Sequence, residues 1–229
     1  MKQKKFEIII SISLLIFPLC AQEKRNDDFL AGSVVKSEKW EIDRARNMEI
    51  FQGSVTFKNF YYELKADSAV YDKARDFWKA AGAVSCKRNF EDGTSVISFC
   101  DRAIYSNNME RAIMESVKNP VKSIYTLKDG RKITTLSKKL RAENSSKTVE
   151  FEDNFSVYND SSVVIGERGL FKAETGDFII TGGQPLATGE NEKYQLYMEG
   201  EIITLNRDSG LIKAQNRVKG VILNKNKEK

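Results

Sequence analysis

The sequence predicts an all-β fold built from antiparallel strands, and three observations lead to this prediction. A two-part motif recurs at intervals of about 30 residues, apolar residues alternate with polar ones inside each copy, and short polar breaks separate the alternating segments. A period of about 30 residues is typical of a chain of small units that bury their apolar faces by stacking on one another.

The first two copies of the motif are the clearest. Residues 40–46, followed by Gly53-Ser54-Val55, are matched 29 positions later by residues 69–75, followed by Gly82-Ala83-Val84. Six residues fall at one equivalent position, at spacings of 29, 34, 37, 29 and 34: Gly53, Gly82, Ser116, Asp153, Gly182 and Asn216. A residue type that tolerates a tight backbone therefore recurs in each of about six two-strand repeats.

Each repeat is interpreted as two strands joined by turns. The register Asp67, Ala69, Tyr71 alternates with polar neighbours, as does Trp78, Ala80, Gly82, Val84, which is the period of a half-buried strand. Polar breaks such as residues 72–75, 106–108, 144–146, 175–177 and 208–210 follow one strand of each pair, and Asp92-Gly93 and Asp129-Gly130 are hairpin signals. The sequence therefore predicts a long antiparallel meander.

The termini differ from this pattern. A basic start, an apolar stretch over residues 8–19 and a charged continuation are typical of a secretory signal peptide, expected over residues 1–21. Two alternatives are an uncleaved membrane anchor and a lipid attached to Cys20. One repeat domain is expected over residues 31–223, and a charged flexible tail over residues 224–229.

Two cysteines remain after the predicted signal peptide. Cys86 and Cys100 flank the Asp92-Gly93 turn almost symmetrically, so a disulfide across the hairpin is one interpretation in an oxidising compartment. The other is that both are small buried side chains in the inward register.

Composition limits the chemistry. The chain has no histidine, which excludes histidine acid–base catalysis and histidine metal sites, and no metal or other cofactor is expected. Acidic residues recur in every copy, as at Asp67, Asp101, Glu167 and Glu201, which favours a structural role at strand starts because an active site is normally a single constellation. A net charge of +5, scattered without a stripe, makes nucleic acid an unsuitable partner.

The two registers also predict which side chains face inward. Three inward positions fall near the predicted ends of the array: Trp40, Ile42 and Val218. The candidate ligand contacts are apolar and aromatic: Phe51, Val55, Phe57, Tyr71, Trp78, Val84, Tyr105, Phe171, Ile180 and Leu205. Such an interior is either packed solid or left as a groove for acyl chains, and the residues alone leave both open.

The string from Leu64 to Lys73, continued by Ala81-Gly82-Ala83-Val84, resembles the repeat of the OstA-like family. That family includes the lipopolysaccharide-transport proteins LptA and LptC and the N-terminal domain of LptD. Gly53-Ser54-Val55 also matches the family's Gly-Asn-Val strand, with serine in place of asparagine, whereas residues 119–158 match poorly.

The resemblance implies a β-jellyroll, an open V-shaped roll that holds lipopolysaccharide acyl chains inside and stacks end to end with like rolls. The implied protein is a non-enzymatic periplasmic lipopolysaccharide carrier that serves outer-membrane biogenesis. Its implied partners are an inner-membrane LptC-like roll, an outer-membrane LptD-like roll and further copies of itself. Two other hypotheses stand beside this one: a membrane-anchored LptC-like subunit, and an envelope scaffold with a solid core and no ligand.

Overall fold

The computed structural model describes residues 34–225, and over this range the chain is all-β. Eighteen antiparallel strands form one continuous hydrogen-bonded sheet, which confirms the predicted fold class of an antiparallel β-roll. The predicted signal peptide, Cys20 and residues 226–229 lie outside the described residues. The strands are β1 (Val34–Lys36), β2 (Lys39–Asp43), β3 (Met48–Lys58), β4 (Tyr62–Asp72), β5 (Phe77–Asn89), β6 (Ser95–Ser106), β7 (Arg111–Glu115), β8 (Val121–Thr126), β9 (Lys132–Ser137), β10 (Lys139–Glu143), β11 (Thr148–Tyr158), β12 (Ser162–Lys172), β13 (Asp177–Thr181), β14 (Leu186–Glu190), β15 (Tyr194–Glu199), β16 (Ile202–Asn206), β17 (Ile212–Gln215) and β18 (Lys219–Asn224).

The sheet folds into two layers that share their long strands. Layer A runs in the order β2, β3, β4, β5, β6, β7, β10, β11, β12, β13, β16, β17. Layer B runs β1, β3, β4, β5, β6, β8, β9, β11, β12, β14, β15, β18. Each long strand therefore starts in one layer and ends in the other.

The point where a long strand changes layer is a corner in the backbone. Register shifts mark it in β3 between Gln52 and Val55, and in β5 between Ala81 and Val84. Five of the six positions predicted to be equivalent have left-handed backbones at a corner: Gly53, Gly82, Asp153, Gly182 and Asn216, with φ between 61° and 77°. Ser116 does not have a positive φ, because β7 ends before it and the chain changes layer over residues 116–120.

The topology differs from the predicted meander in the second half of the chain. β7 pairs with β10, and β13 pairs with β16, because β8–β9 and β14–β15 leave layer A to form hairpins in layer B. Pro120 and Pro185 stand directly before β8 and β14. Proline has no backbone N–H to continue a ladder, which suits it to these breaks between layers.

The layer-A turns stack on one another. Each turn has a residue with positive φ, such as Asn47, Asp76 or Lys147. The carbonyl of that residue accepts a backbone N–H from the next turn of the stack. Lys73 N–H donates to Asn47 O at 3.0 Å, and Ala173 N–H donates to Lys147 O at 3.0 Å. The predicted polar breaks therefore form a hydrogen-bonded column along one side of the roll.

Candidate functional site

The candidate site is the interior, defined as the inward-facing side chains of layers A and B. Aromatic contacts across it show that the two inner faces pack together. Phe51 of layer A lies 5.1 Å, ring centroid to centroid, from Phe57 of layer B, and Trp78 of layer A lies 4.9 Å from Phe57. Alternation of side chains along each strand, restored after each corner, keeps one face of both layers apolar.

The structure places all ten candidate residues on the inner face. Seven are buried: Phe51, Val55, Phe57, Val84, Phe171, Ile180 and Leu205. The other three, Tyr71, Trp78 and Tyr105, are half-buried and are neighbours in the β4–β5–β6 register.

The end positions are more exposed than the sequence predicts. Trp40 is 55% exposed, Ile42 is 56% exposed and Val218 is 49% exposed. Trp40 does pack on Phe51, at 5.1 Å between ring centroids, so its face is the predicted one. Among the described strands, β2 and the β17–β18 corner are the last positions of the array, and no strand within residues 34–225 covers these side chains.

An aromatic cluster fills the N-terminal part of the interior. Tyr71 stacks on Trp78 with centroids 4.3 Å apart and planes 11° apart, and Trp78 in turn contacts Phe51 and Phe57. The Tyr71 hydroxyl donates to Asp76 Oδ1 at 2.9 Å, so its polar end is satisfied at the turn. The side chains of this cluster belong to the first two copies of the motif.

A second aromatic cluster fills the C-terminal part. Phe178 is fully buried and contacts Phe171 at 4.5 Å and Phe155 at 6.4 Å between ring centroids. Phe151 and Tyr125 complete it. The candidate list missed Tyr125, Phe151 and Phe155 because they lie where the motif is weakest, although Phe151 and Phe155 flank the corner residue Asp153 as Phe51 and Val55 flank Gly53.

Between these clusters both inner faces carry small side chains, although the larger Met114 and Leu140 also face inward on layer A. The small side chains are Ala80, Ala103, Ala112 and Ala142 on layer A and Cys86, Ser98, Ser123 and Thr135 on layer B. We call this region the waist. Ser98 and Ser123 share a hydrogen bond of 2.7 Å between their hydroxyls, which satisfies two buried polar groups in an otherwise apolar interior.

The interior is more open at the N-terminal half than at the C-terminal half. On layer A, the inward row nearest the turns is half-buried at Tyr71, Trp78 and Tyr105. The same row is buried at Phe178 and Leu205, which are fully enclosed. The open stretch, which we call the mouth, therefore lies beside the waist.

Cys86 and Cys100 are free thiols on the inner face of layer B. Cys86 is opposite Ser98, and Cys100 is opposite Val84, so the two cysteines are diagonal neighbours rather than directly opposed. Burial raises the pKa of the Cys86 thiol, with a smaller contribution from Cys100, and raises the pKa of Cys100 to about 12. Both thiols are consequently protonated and poorly reactive at neutral pH.

The recurring acidic residues stand against the corners. A side chain at Gly82 would meet the Asp67 carboxylate, and one at Gly53 or Gly182 would meet Glu38 or Glu167. At the third corner, Asp101 Oδ2 accepts an N–H from Val117 at 2.7 Å, and this bond and a weaker one from Lys118 lower the pKa of Asp101. These contacts agree with the structural role predicted for the acidic residues.

Residues 34–225 contain neither a metal-binding cluster nor a membrane-spanning helix. No group of three or more Cys, Asp or Glu side chains is arranged to hold a metal ion. No helix in this range is long and apolar enough to cross a membrane.

No family model matches the chain, and no curated protein matches it. Among solved structures, it is similar to the crystal structure of LptH, the LptA-homologous periplasmic component of the lipopolysaccharide transport device of Pseudomonas aeruginosa. The alignment has 9% identity and a TM-score of 0.27 and covers 83% of this chain and 94% of LptH.

Proposed function

We propose that this chain is a lipopolysaccharide-transport protein of the bacterial envelope, and that its interior shields the acyl chains of the lipid. The observation that carries the proposal is the inner face itself. Apolar side chains line both layers from Phe51 to Leu205, and one side of this lining is half-open at Tyr71, Trp78 and Tyr105. The motif resemblance over residues 64–84 adds the identity of the lipid.

Shielding is the physical task that such an interior performs. Each methylene removed from water contributes about 0.8 kcal/mol, so an acyl chain enters an apolar groove readily and leaves only to another apolar environment. The waist has small side chains, such as Ala80 and Ala103, at inward positions where the two clusters have aromatic rings. Binding and passage need no proton transfer or nucleophile, which fits a role without catalysis.

The ends of the roll fit a role in bridging two membranes. β2 and β18 are terminal strands, and their exposed apolar side chains include Trp40 and Ile42 at one end and Val221 and Ile222 at the other. An unpaired strand edge is a template for a strand of another roll. In this proposal the partners are LptC-like and LptD-like rolls and further copies of this chain, in the periplasm.

Photocrosslinking in cells tests the proposal directly. A photoreactive amino acid at Trp78 faces the interior, and the same group at Lys79, the next residue of β5, faces outward. We expect lipopolysaccharide to be captured from position 78 and from Tyr105, and not from Lys79 or Ile104. Capture that is equal from the two faces, or absent from all four positions, would contradict the proposal.

Two other functions remain as alternatives. A membrane-anchored LptC-like subunit would retain Met1 after export, and N-terminal sequencing of the mature protein decides that question. A scaffold without a ligand is favoured by the closed C-terminal cluster, where Phe178, Ile180 and Leu205 are fully buried. Delipidated protein that takes up no lipopolysaccharide would support the scaffold.

A further inference from the structure

The outer faces of the two layers differ in charge. Over β2 to β10, the outer face of layer A pairs opposite charges, as in Lys139–Glu115 and Arg141–Glu150, with nitrogen–oxygen distances of 3.2 Å each. Over β1 to β9, the strands of layer B carry a nearly uniform charge on their outer face. Its charged residues are Lys36, Lys58, Lys65, Lys87, Lys122 and Lys132, with Glu63 as the single acidic member.

The six lysines surround an apolar centre. Lys87 is opposite Ile97, and Ile97 is opposite Ile124 on the next strand. Phe99, also on this outer face, is 41% exposed. Lys65 pairs with Glu63 at 2.8 Å, and Lys58 and Lys87 stand opposite Glu63 on the two neighbouring strands, so three cations adjoin one carboxylate. Together they lower the pKa of Glu63, Lys65 most of all. We call this surface the lysine face.

Exposed aromatic side chains stand at the edge of the lysine face, on two adjoining turns. Phe60, between β3 and β4, is 84% exposed, and Phe90, after β5, is 38% exposed. Asn89 N–H donates to Tyr61 O at 2.8 Å, which joins the two turns. The Arg88 guanidinium lies 4.8 Å from the centre of the Phe90 ring. We call Phe60 and Phe90 the aromatic tips.

We propose that the lysine face and the aromatic tips bind the surface of a lipid bilayer that carries anionic phosphate headgroups. Lysines close to the membrane surface are attracted to anionic headgroups, and an exposed phenylalanine ring inserts at the boundary between headgroups and acyl chains. The other turns of the same rim have charged or polar tips, such as Asp129-Gly130 and Asn159-Asp160, which would not insert. This inference does not depend on lipopolysaccharide entering the interior.

Vesicle flotation tests the proposal with the full chain. We expect binding to vesicles of phosphatidylcholine mixed with phosphatidylglycerol, weaker binding to pure phosphatidylcholine, and loss of the difference at high salt because ions screen the attraction. Replacing both tips, Phe60→Ser with Phe90→Ser, should weaken binding at least about tenfold. The control is Met109→Ser, which removes a side chain that is 63% exposed on a layer-A turn and should change binding less than about twofold.

Charge-reversal variants distinguish the effect of the lysine face from the effect of the net charge of the protein. Lys58→Glu with Lys87→Glu should abolish the preference for phosphatidylglycerol. Lys79→Glu with Lys213→Glu, which makes the same change on the outer face of layer A, should retain most of it. Equal losses in the two double variants would overturn the proposal.

Fluorescence quenching measures insertion of the tip itself. Residues 1–33 are the same in every variant, so they do not affect the comparison. Tryptophan introduced as Phe60→Trp should be quenched by brominated lipids more than tryptophan introduced as Met109→Trp. Equal quenching would overturn the proposal. So would a result in which the tip variants change only self-association in sedimentation, because the surface would then bind a second copy.

Discussion

At the scale of single residues, three of the corners have a glycine that faces an acidic side chain: Gly53, Gly82 and Gly182. Gly82 has φ of +77°, and a Cβ at this position would fall on the Asp67 carboxylate. Gly130 has φ of +85°, and nothing lies within 4 Å of where its Cβ would be. The two glycines therefore separate the cost of the left-handed backbone from the cost of a clash.

We expect Gly130→Ala to lower the free energy of unfolding by about 1–2 kcal/mol, the cost of a left-handed backbone. Gly82→Ala should cost more, because the new methyl group also displaces Asp67 in a packed corner, which adds about 1–3 kcal/mol. Urea unfolding of both variants measures the difference. Equal losses would mean that Asp67 moves away freely and that the corner is not tightly packed.

The inward residues were predictable where the motif is strong. Val55 and Val84 follow their corner glycines at the same distance, and both are 1% exposed. Tyr125 could not be predicted, because nothing in the sequence shows that β8 leaves layer A and returns its inner face to the Phe171 ring 5.8 Å away. The exposure of Ile42 could not be predicted either. The alternation of side chains shows which face a residue is on, but not whether a further strand covers that face.

The two buried thiols predict how stability depends on alkaline pH. The pKa of Cys100 is raised from an ordinary 9.0 to about 12 by burial, and the pKa of Cys86 is raised in the same direction. Above pH 9 the unfolded chain releases thiol protons that the folded chain retains, so the free energy of unfolding falls as pH rises. For each thiol the slope approaches about 1.4 kcal/mol per pH unit.

Urea unfolding at several pH values from 8 to 11, under reducing conditions, measures this slope. Cys86→Val with Cys100→Ala should flatten it, leaving the contribution of Tyr125, whose pKa burial raises to about 12. An unchanged slope in the double variant would show that the thiols are already ionised or accessible in the folded protein.

At the scale of elements, the corners explain why the chain is a roll and not a flat meander. A strand of 11 to 13 residues, such as β4 or β5, is long enough to contribute to two layers once a corner bends it. At the third corner, Asp101 accepts the backbone N–H groups of Val117 and Lys118, which lie just after the end of β7. Recurrence of glycine and acid in the sequence predicted both residues but not which strands they connect.

Asp101 gives this arrangement a pH dependence that can be measured. Its pKa is lowered from an ordinary 3.8 by the N–H groups of Val117 and Lys118, so the stability that it contributes is present above pH 3.8 and is lost as pH falls through the lowered pKa. We expect Asp101→Asn to reduce the melting temperature at neutral pH and to match the parent protein at acid pH. Asp160→Asn, which removes the same charge from an exposed turn, should leave the melting temperature nearly unchanged at both pH values.

At the scale of the whole molecule, the roll described by residues 34–225 has edges that no strand in this range covers. The waist and mouth lie toward the N-terminal half, and the most enclosed side chains, such as Phe178 and Ile203, lie toward the C-terminal half. The two halves therefore combine an accessible region with an enclosed one in the same sheet. The repeat pattern did not predict this asymmetry. It gives the register, which is alike in the repeats, whereas the asymmetry arises from the different sizes of the inward residues.

The terminal strands predict self-association through the ends of the roll. Ile222, on β18, is 69% exposed, and β18 pairs with β15 on one side only among the described strands. A lysine on an edge strand blocks pairing with another edge, so Ile222→Lys should raise the concentration needed for end-to-end assembly by about tenfold or more. Sedimentation velocity over a concentration series measures this change.

The control is Met109→Lys, which adds the same charge on a turn away from the edge strands, where Met109 is 63% exposed. This variant should assemble like the parent protein. If both variants assemble alike, the contacts between rolls lie elsewhere, and the bridging part of the proposed function loses its support while shielding of lipid in the interior remains open to the crosslinking test.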